Sequence, residues 1–202
     1  MFSEKLVMDA LDYARSEIEK YGLPTSLHFD LSLEKAQDLA QKLGADPNLV
    51  SVGVALMDIK LGEAFQQKRL AEHVQMGVQA AQDFLKPYGL DVKEIAKVIN
   101  CIEAHHGAVP HSCLESKIVT NADCYRFIHP AGVLSYIGTL SKRNPDLRAV
   151  IEGAEGKLDE KWQLLTIDLC KTELGDVYLY FKEIFAVAKA TEEQRLGAGT
   201  SK

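Results

Sequence analysis

The segment PNLVSVGVALM, residues 47 to 57, is apolar on nearly every side, and it constrains the fold more than any other stretch of the chain. Its apolar residues do not keep to one helical face, as they would in a helix that packs on a surface. A helix that is apolar all round usually lies at the centre of a core. Asp46 and Pro47 form a typical helix start, and the apolar run ends near Asp58. The pattern predicts a central helix with a carboxylate at its end.

Apolar residues recur at helical spacing along the rest of the chain, and no segment indicates a strand. Signals for helix starts and ends fall at Gly22, Pro24, Gly44, Asp91, Gly107 and Pro130. The polar stretch KLGEAFQQKR is expected to connect the central helix to the next one, and short breaks are expected at Gly153 to Gly156 and at Gly175. We predict an all-α helical bundle with additional C-terminal helices. It would form one domain over residues 1–194, followed by a flexible tail over residues 195–202.

Composition narrows the classes of function. A chain of 202 residues that is 47% hydrophobic can bury a sizeable core. Its net charge of -6 argues against nucleic-acid binding, which depends on basic side chains that neutralise phosphates. The four cysteines form no C-x-x-C pair, which favours a reduced compartment, and neither a signal peptide nor an apolar run of about 20 residues is found. We expect a cytoplasmic protein that binds neither nucleic acid nor membrane.

Six side chains are candidates for chemistry, because each lies on or at the end of a predicted helix beside apolar residues. They are His28, Asp58, His73, His105, His106 and Asp123. A carboxylate on an apolar face is costly unless it is paired or bound to a metal ion. Imidazoles and carboxylates from several helices of a bundle form a typical site for a divalent cation. Taken singly, Asp58 could be a helix-end residue, and the sequence HHG at 105–107 could be an ordinary helix C-terminus.

The order of these residues resembles that of the HD-domain superfamily of metal-dependent phosphohydrolases. The pattern of that family is a His on an early helix, a His-Asp dyad that ends a buried helix, later histidines, and an Asp on a subsequent helix. Residues 25 to 128 match it in the segments SLHFDLSLEKA, VALMDIKLG, LAEHVQMGVQAA, VINCIEAHHGA and LESKIVTNADCYRF. The departure is Met57, which stands where the His of the dyad would be. The resemblance implies an HD-domain bundle.

The resemblance also implies one or two divalent ions, with Mn, Fe, Mg, Ni and Zn as candidates. A first ion would be held by His28, Asp58 and Asp123, without the imidazole of the dyad. A second would be held by Asp58, His73 and His105. One imidazole and two carboxylates can still bind Mn²⁺, Mg²⁺ or Fe²⁺ when waters fill the open positions. A methionine thioether is a soft ligand and would not replace imidazole for these ions.

Hydrolysis of a phosphate ester follows from such a site, because bound ions lower the pKa of a water and neutralise a phosphate oxygen. Asp58, His106 and Lys60 are the candidate catalytic side chains. His106 would either bind the second ion or position the water and carry a proton. Lys60, Arg126 and His111 are the candidate contacts to substrate.

Three functions are compatible with the sequence. The first is a metal-dependent phosphohydrolase for a nucleotide or another small phosphate ester. The second is a non-catalytic HD domain with a binding or regulatory role, which Met57 favours. The third and weaker one is a diiron oxygenase with the same ligands. The aromatic residues Tyr178, Tyr180 and Phe181 could belong to the core or to the surface of a homodimer.

Overall fold

The computed structural model describes the backbone of residues 2–199 and the side chains of residues 2–195. Within that range it is all-α, without a strand, as predicted. The helices are α1 (Glu4–Tyr21), α2 (Ser26–Leu43), α3 (Pro47–Met57), α4 (Leu61–Gln66), α5 (His73–Leu85), α6 (Val92–Ala104), α7 (Leu114–Arg126), α8 (Pro130–Ser141), α9 (Leu147–Leu164) and α10 (Asp168–Gly199). Short 3₁₀ turns precede and follow α5. Over the described residues, every helix is too short or too polar to cross a membrane.

Side-chain caps set the helix boundaries where the sequence predicts them. Thr25 and Asp46 accept hydrogen bonds from backbone N–H groups in the first turns of α2 and α3. Asp91 forms a reciprocal capping box at the start of α6. Gly22 and Gly44 end α1 and α2 in the left-handed region, with φ of 72° and 70°. These predicted helix starts and ends are confirmed.

The chain divides into two compact units, Met1–Asp123 and Cys124–Lys202. In the first unit α3 is the central helix, as predicted, and every residue from Leu49 to Met57 is buried. It packs against α1, α2, α5 and α6. Since α3 ends at Met57, this packing brings Asp58 to a fixed place beside the neighbouring helices.

Gly53 allows α3 to approach two helices at once. A Cβ atom built at Gly53 would lie 2.9 Å from Cys101 Sγ of α6 and 2.9 Å from Val119 Cγ2 of α7. Both distances are shorter than normal van der Waals contact, so a side chain would push the helices apart. Glycine is therefore a packing requirement at this position.

In the second unit α9 packs against both α8 and α10. The rings of Trp162 and Tyr178 stack with centroids 4.5 Å apart. Lys182 and Lys189 of α10 donate to the two carboxylate oxygens of Glu155 on α9. These two units are groups of residues that mostly contact one another. They do not test the prediction of a single domain over residues 1–194, which stays a prediction.

The polar stretch KLGEAFQQKR is more regular than the sequence indicates, because it contains α4. Gly62 and Ala64 of this helix are buried, and α4 packs against α1 and α5. Six residues are too few for a helix that is stable in isolation. Tertiary contacts, rather than a visible apolar stripe, stabilise α4, and the prediction of a simple connecting stretch is corrected.

The breaks predicted at Gly153 to Gly156 and at Gly175 do not occur, since α9 and α10 run through them. A glycine inside a helix costs only about 1 kcal/mol relative to alanine, which helix packing can offset. The absence of a side chain at Gly153 leaves room for Leu140, because a Cβ there would lie 3.3 Å from Leu140 Cδ1. The predicted tail is helical as far as Gly199, and residues 200–202 lie outside the described residues.

Gly53→Ala is expected to lower the free energy of unfolding by about 1–3 kcal/mol, because the added methyl group overpacks the contact with α6 and α7. Urea denaturation followed by circular dichroism measures this change. Gly156→Ala is the matched control: a Cβ there meets nothing within 4 Å, so alanine should stabilise α9 by up to about 1 kcal/mol. Equal effects of the two substitutions would contradict this packing role.

Candidate metal centre

Four of the predicted site residues converge in the first unit: Asp58, His73, His105 and His106. Asp58 directly follows α3, His73 is the first residue of α5, and His105 and His106 directly follow α6. Each side chain offers one ligand atom, and these atoms all lie within 4.8 Å of one another. Residues from three separate helix ends therefore meet in one place, as a metal site in a bundle requires.

The spacing of these atoms is close to that of ligands around one ion. His105 Nε2 lies 3.5 Å and His73 Nε2 lies 3.9 Å from Asp58 Oδ1. The Nε2 atoms of His73 and His106 are 3.1 Å apart. Ligands bound at 2.0–2.2 Å on adjacent positions of an ion are about 3–3.5 Å from each other. Small movements would bring the four groups into coordination.

Backbone carbonyls fix the orientation of two of the imidazoles. His73 Nδ1 lies 2.7 Å from the Leu70 carbonyl oxygen, and His105 Nδ1 lies 2.6 Å from that of Ile102. A carbonyl oxygen only accepts, so each Nδ1 carries the proton and donates it. In the neutral imidazoles the lone pair is then on Nε2, the nitrogen that faces Asp58. This arrangement is the usual one for a histidine that binds metal.

Burial makes the arrangement costly without a cation. The side chain of His105 is fully buried and Asp58 is only 7% exposed. His105 Nε2 makes no hydrogen bond to the described part of the chain. An imidazole lone pair and a carboxylate oxygen that face each other repel, and burial weakens the screening by water. A divalent cation between them would replace the repulsion by two coordinate bonds, so the residues fit a metal ion.

Two predicted ligands, His28 and Asp123, are not members of this group of four. Both are buried, His28 on α2 and Asp123 on α7. One turn after His28, the Ser32 hydroxyl donates to the carbonyl oxygen of Ala122, which precedes Asp123, over 3.4 Å. This contact brings the His28 face of α2 against α7 near Asp123. Their role as ligands of a first ion stays a prediction.

Met57 is the last residue of α3 and is only 1% exposed. It belongs to the buried core at the end of the helix, directly before Asp58. A thioether packs well in such surroundings. Its correspondence to the His of the family dyad remains what the resemblance implies.

The charge of Lys60 is already used in ion pairs. Its ammonium group lies 3.0 Å from Glu17 Oε2 and 2.9 Å from Glu63 Oε2. Burial works to lower the pKa of Lys60, but hydrogen bonds to Glu63, Glu17 and Tyr13 outweigh it and raise the pKa. Lys60 links the turn after Asp58 to α1 and α4, and its predicted catalytic and substrate-binding roles stay predictions.

His111 is oriented by Thr120, with Nε2 2.9 Å from Thr120 Oγ1. Burial and the nearby charge of Lys117 lower the pKa of His111, which favours the neutral imidazole. A neutral His111 would offer a substrate a hydrogen bond and no positive charge. Arg126 is the last residue of α7, and its guanidinium lies 5.0 Å from the centre of the Phe127 ring. Contact of either residue with substrate stays a prediction.

Mn²⁺ is expected to stabilise the chelator-treated protein, and Asp58→Asn should remove this effect by replacing the charged ligand with an isosteric amide. At a concentration about 100 times the dissociation constant, the gain is about 2.7 kcal/mol, which raises the melting temperature by several degrees. Differential scanning calorimetry measures the shift.

The control for this substitution is Asp83→Asn, which changes an exposed carboxylate that pairs with Lys86. It should leave the response to Mn²⁺ intact. If a proton rather than an ion held the Asp58–His105 pair together, Mn²⁺ would stabilise neither the natural protein nor the control.

Comparison with known proteins relates this site to a family. The profile described as "HD domain" matches residues 28–128, which is half of the chain. Ribonuclease Y from Finegoldia magna is 35% identical over 118 residues, which are 58% of this chain and 21% of that protein. The chain therefore spans about a fifth of the length of this curated relative.

Two solved structures share the fold. A protein from Lactobacillus plantarum superposes with a TM-score of 0.73 over 96% of this chain and all of its own, at 18% identity. A predicted HD superfamily hydrolase from an uncultured Thermotogales bacterium has a TM-score of 0.56, 19% identity, and coverage of 84% of this chain and 91% of its own. The family profile spans all six candidate ligands, four of which the structure gathers in one place. The chain belongs to the HD domain family.

Proposed function

We propose that this protein is a metal-dependent phosphohydrolase that acts on a nucleotide or another small phosphate ester. The observation that carries the proposal is the buried group of one carboxylate and three imidazoles, with His105 Nε2 aimed at Asp58. Membership of the HD domain family supports it, since that superfamily typically consists of metal-dependent phosphohydrolases. One or two divalent ions are the cofactors that this donor set suits, because imidazole and carboxylate together bind Mn²⁺, Fe²⁺, Ni²⁺ and Zn²⁺.

Asp58, His73, His105 and His106 would hold an ion, because their ligand atoms all lie within 4.8 Å of one another. The imidazoles of His73 and His105 are held with Nε2 inward. His106 lies against His105, with ring centroids 3.8 Å apart, and is half-buried like His73, whereas His105 is fully buried. When bound, the ion supplies Lewis acidity and a water of lowered pKa.

The side chains of the chain supply orientation and proton transfer. Asp58 accepts a hydrogen bond from the attacking water. This bond orients a lone pair of the water oxygen toward the phosphorus atom. Where His106 Nε2 is not bound to the ion, it takes up a proton from the water or gives one to the leaving oxygen, because imidazole exchanges protons near neutral pH. The burial of His105 and Asp58 excludes bulk water from this side of the site, which strengthens each electrostatic contact.

Hydrolysis is tested with chelator-treated protein, a panel of nucleoside phosphates and simple phosphate esters, and added Mn²⁺. Phosphate release should require the metal and should fall by about a thousandfold in Asp58→Ala, since several kcal/mol of transition-state stabilisation are lost. Asp83→Ala is the matched control and should retain activity. Metal-dependent release that persists in Asp58→Ala would refute the assignment.

The panel also needs a short single-stranded RNA, because the relative from Finegoldia magna is called Ribonuclease Y. The net charge of -6 favours a small substrate over a polyanion, which a protein binds mainly through basic residues. If the protein cleaves the RNA and releases phosphate from none of the small esters, the proposed substrate changes from a small phosphate ester to a phosphodiester. The assignment of the metal site is unaffected by that result.

A second candidate function is a non-catalytic HD domain that binds or regulates. Met57 favours it, because an apolar side chain fills the core directly beside Asp58 where the family dyad would have an imidazole. Under this second function, the natural protein binds metal weakly and Met57→His raises its affinity sharply. Under our proposal, the natural protein already binds metal tightly and turns over substrate. Calorimetric titration with Mn²⁺ separates the two.

A further inference from the structure

The loop between α6 and α7 begins with His105 and His106 and also carries His111. It leaves α6 through Gly107, whose φ of 74° and N–H bond to the Ala104 carbonyl turn the chain back on itself. After this turn the loop runs alongside α6. Residues of the candidate site therefore lie at both ends of one short, non-helical segment.

A single buried side chain, Asn100 of α6, fastens this loop. Its Nδ2 donates to the Pro110 carbonyl oxygen over 3.0 Å, and its Oδ1 accepts from the Ser112 N–H over 2.7 Å. The two partners settle the orientation of the amide, because a carbonyl cannot donate and a backbone N–H cannot accept. Asn100 is buried whereas Pro110 and Ser112 are exposed, so both bonds are partly shielded from water.

The two bonds close a ring of chain from Asn100 through His105 and His106 to Ser112. Such a cross-link limits the conformations open to the residues inside it. His105 has its own restraint, the bond to the Ile102 carbonyl, and its position does not depend on the loop. His106 follows the end of α6 and lies within the closed segment, and His111 lies between the two bonded residues.

We infer that Asn100 is a positioning residue of the metal centre: its amide holds the loop so that His106 Nε2 stays beside His73 Nε2. This assignment rests on the proposed function. Asn100 acts through the backbone at Pro110 and Ser112 and touches neither metal nor substrate. Residues that orient metal ligands in this indirect way typically change metal affinity by about 10–100-fold when they are replaced.

The test compares Asn100→Leu with Asn48→Leu in chelator-treated protein. Asn48 is a matched control in the same unit, since its Nδ2 donates to the Phe2 carbonyl oxygen over 2.9 Å and it lies outside the loop. Calorimetric titration with Mn²⁺ gives the affinity, amide hydrogen exchange of residues 107–112 gives the order of the loop, and urea denaturation gives the stability.

Both substitutions should lower the stability, but only Asn100→Leu should weaken Mn²⁺ binding by about tenfold or more and speed exchange in the loop. Asn100→Asp has almost the same volume and keeps the bond from Ser112 while losing the one to Pro110, so its loss of affinity should be smaller. It also keeps the test decisive if Asn100→Leu does not fold.

Unchanged Mn²⁺ affinity in both Asn100 variants, or equal losses in Asn100→Leu and Asn48→Leu, would overturn this assignment while the metal centre stands. Failure of the natural protein to bind Mn²⁺ would instead overturn the proposed function and the assignment together. The two failures are therefore distinguishable.

Discussion

The burial of a carboxylate beside imidazole nitrogens is the constraint on which the rest of this structure depends. Asp58 ends a helix that is buried from Leu49 onward, so its charge lies at the edge of the core. His73 and His105 face it with the nitrogens that their carbonyl partners leave unprotonated. A cation would satisfy all three groups together, and burying such polar groups without a cation or another partner is costly.

The side chains of the candidate site are all placed by the ends of helices. Asp58, His73 and the pair His105–His106 all lie at termini, where the backbone turns and a neighbouring carbonyl is available to orient a side chain. The packing of α3 against α5 and α6 brings these termini together, and the lack of a side chain at Gly53 allows the close approach to α6. The core and the polar site therefore depend on each other, because the packing that buries α3 also fixes the position of Asp58.

The sequence predicts the parts that depend on pattern and composition. The apolar segment of α3, the capping residues and the all-α fold could all be found in this way, whereas the grouping of Asp58 with His73, His105 and His106 followed from the resemblance to the HD-domain family. The contacts to Leu70, Ile102, Pro110 and Ser112 could not, because every residue has a backbone carbonyl or amide and none marks its partner. Asn100 was missed for the same reason. The helix α4 and the continuity of α9 were not predicted, because tertiary packing overrides weak local helix propensity.

The most direct test of the metal centre is the position of a bound ion. Crystals grown with Mn²⁺ and measured at the manganese absorption edge would show it as an anomalous peak. We predict a peak at about 2.0–2.3 Å from Asp58 Oδ1 and from the Nε2 atoms of His73 and His105. A map without a peak among these atoms, at a Mn²⁺ concentration that saturates other sites on the protein, would contradict the account.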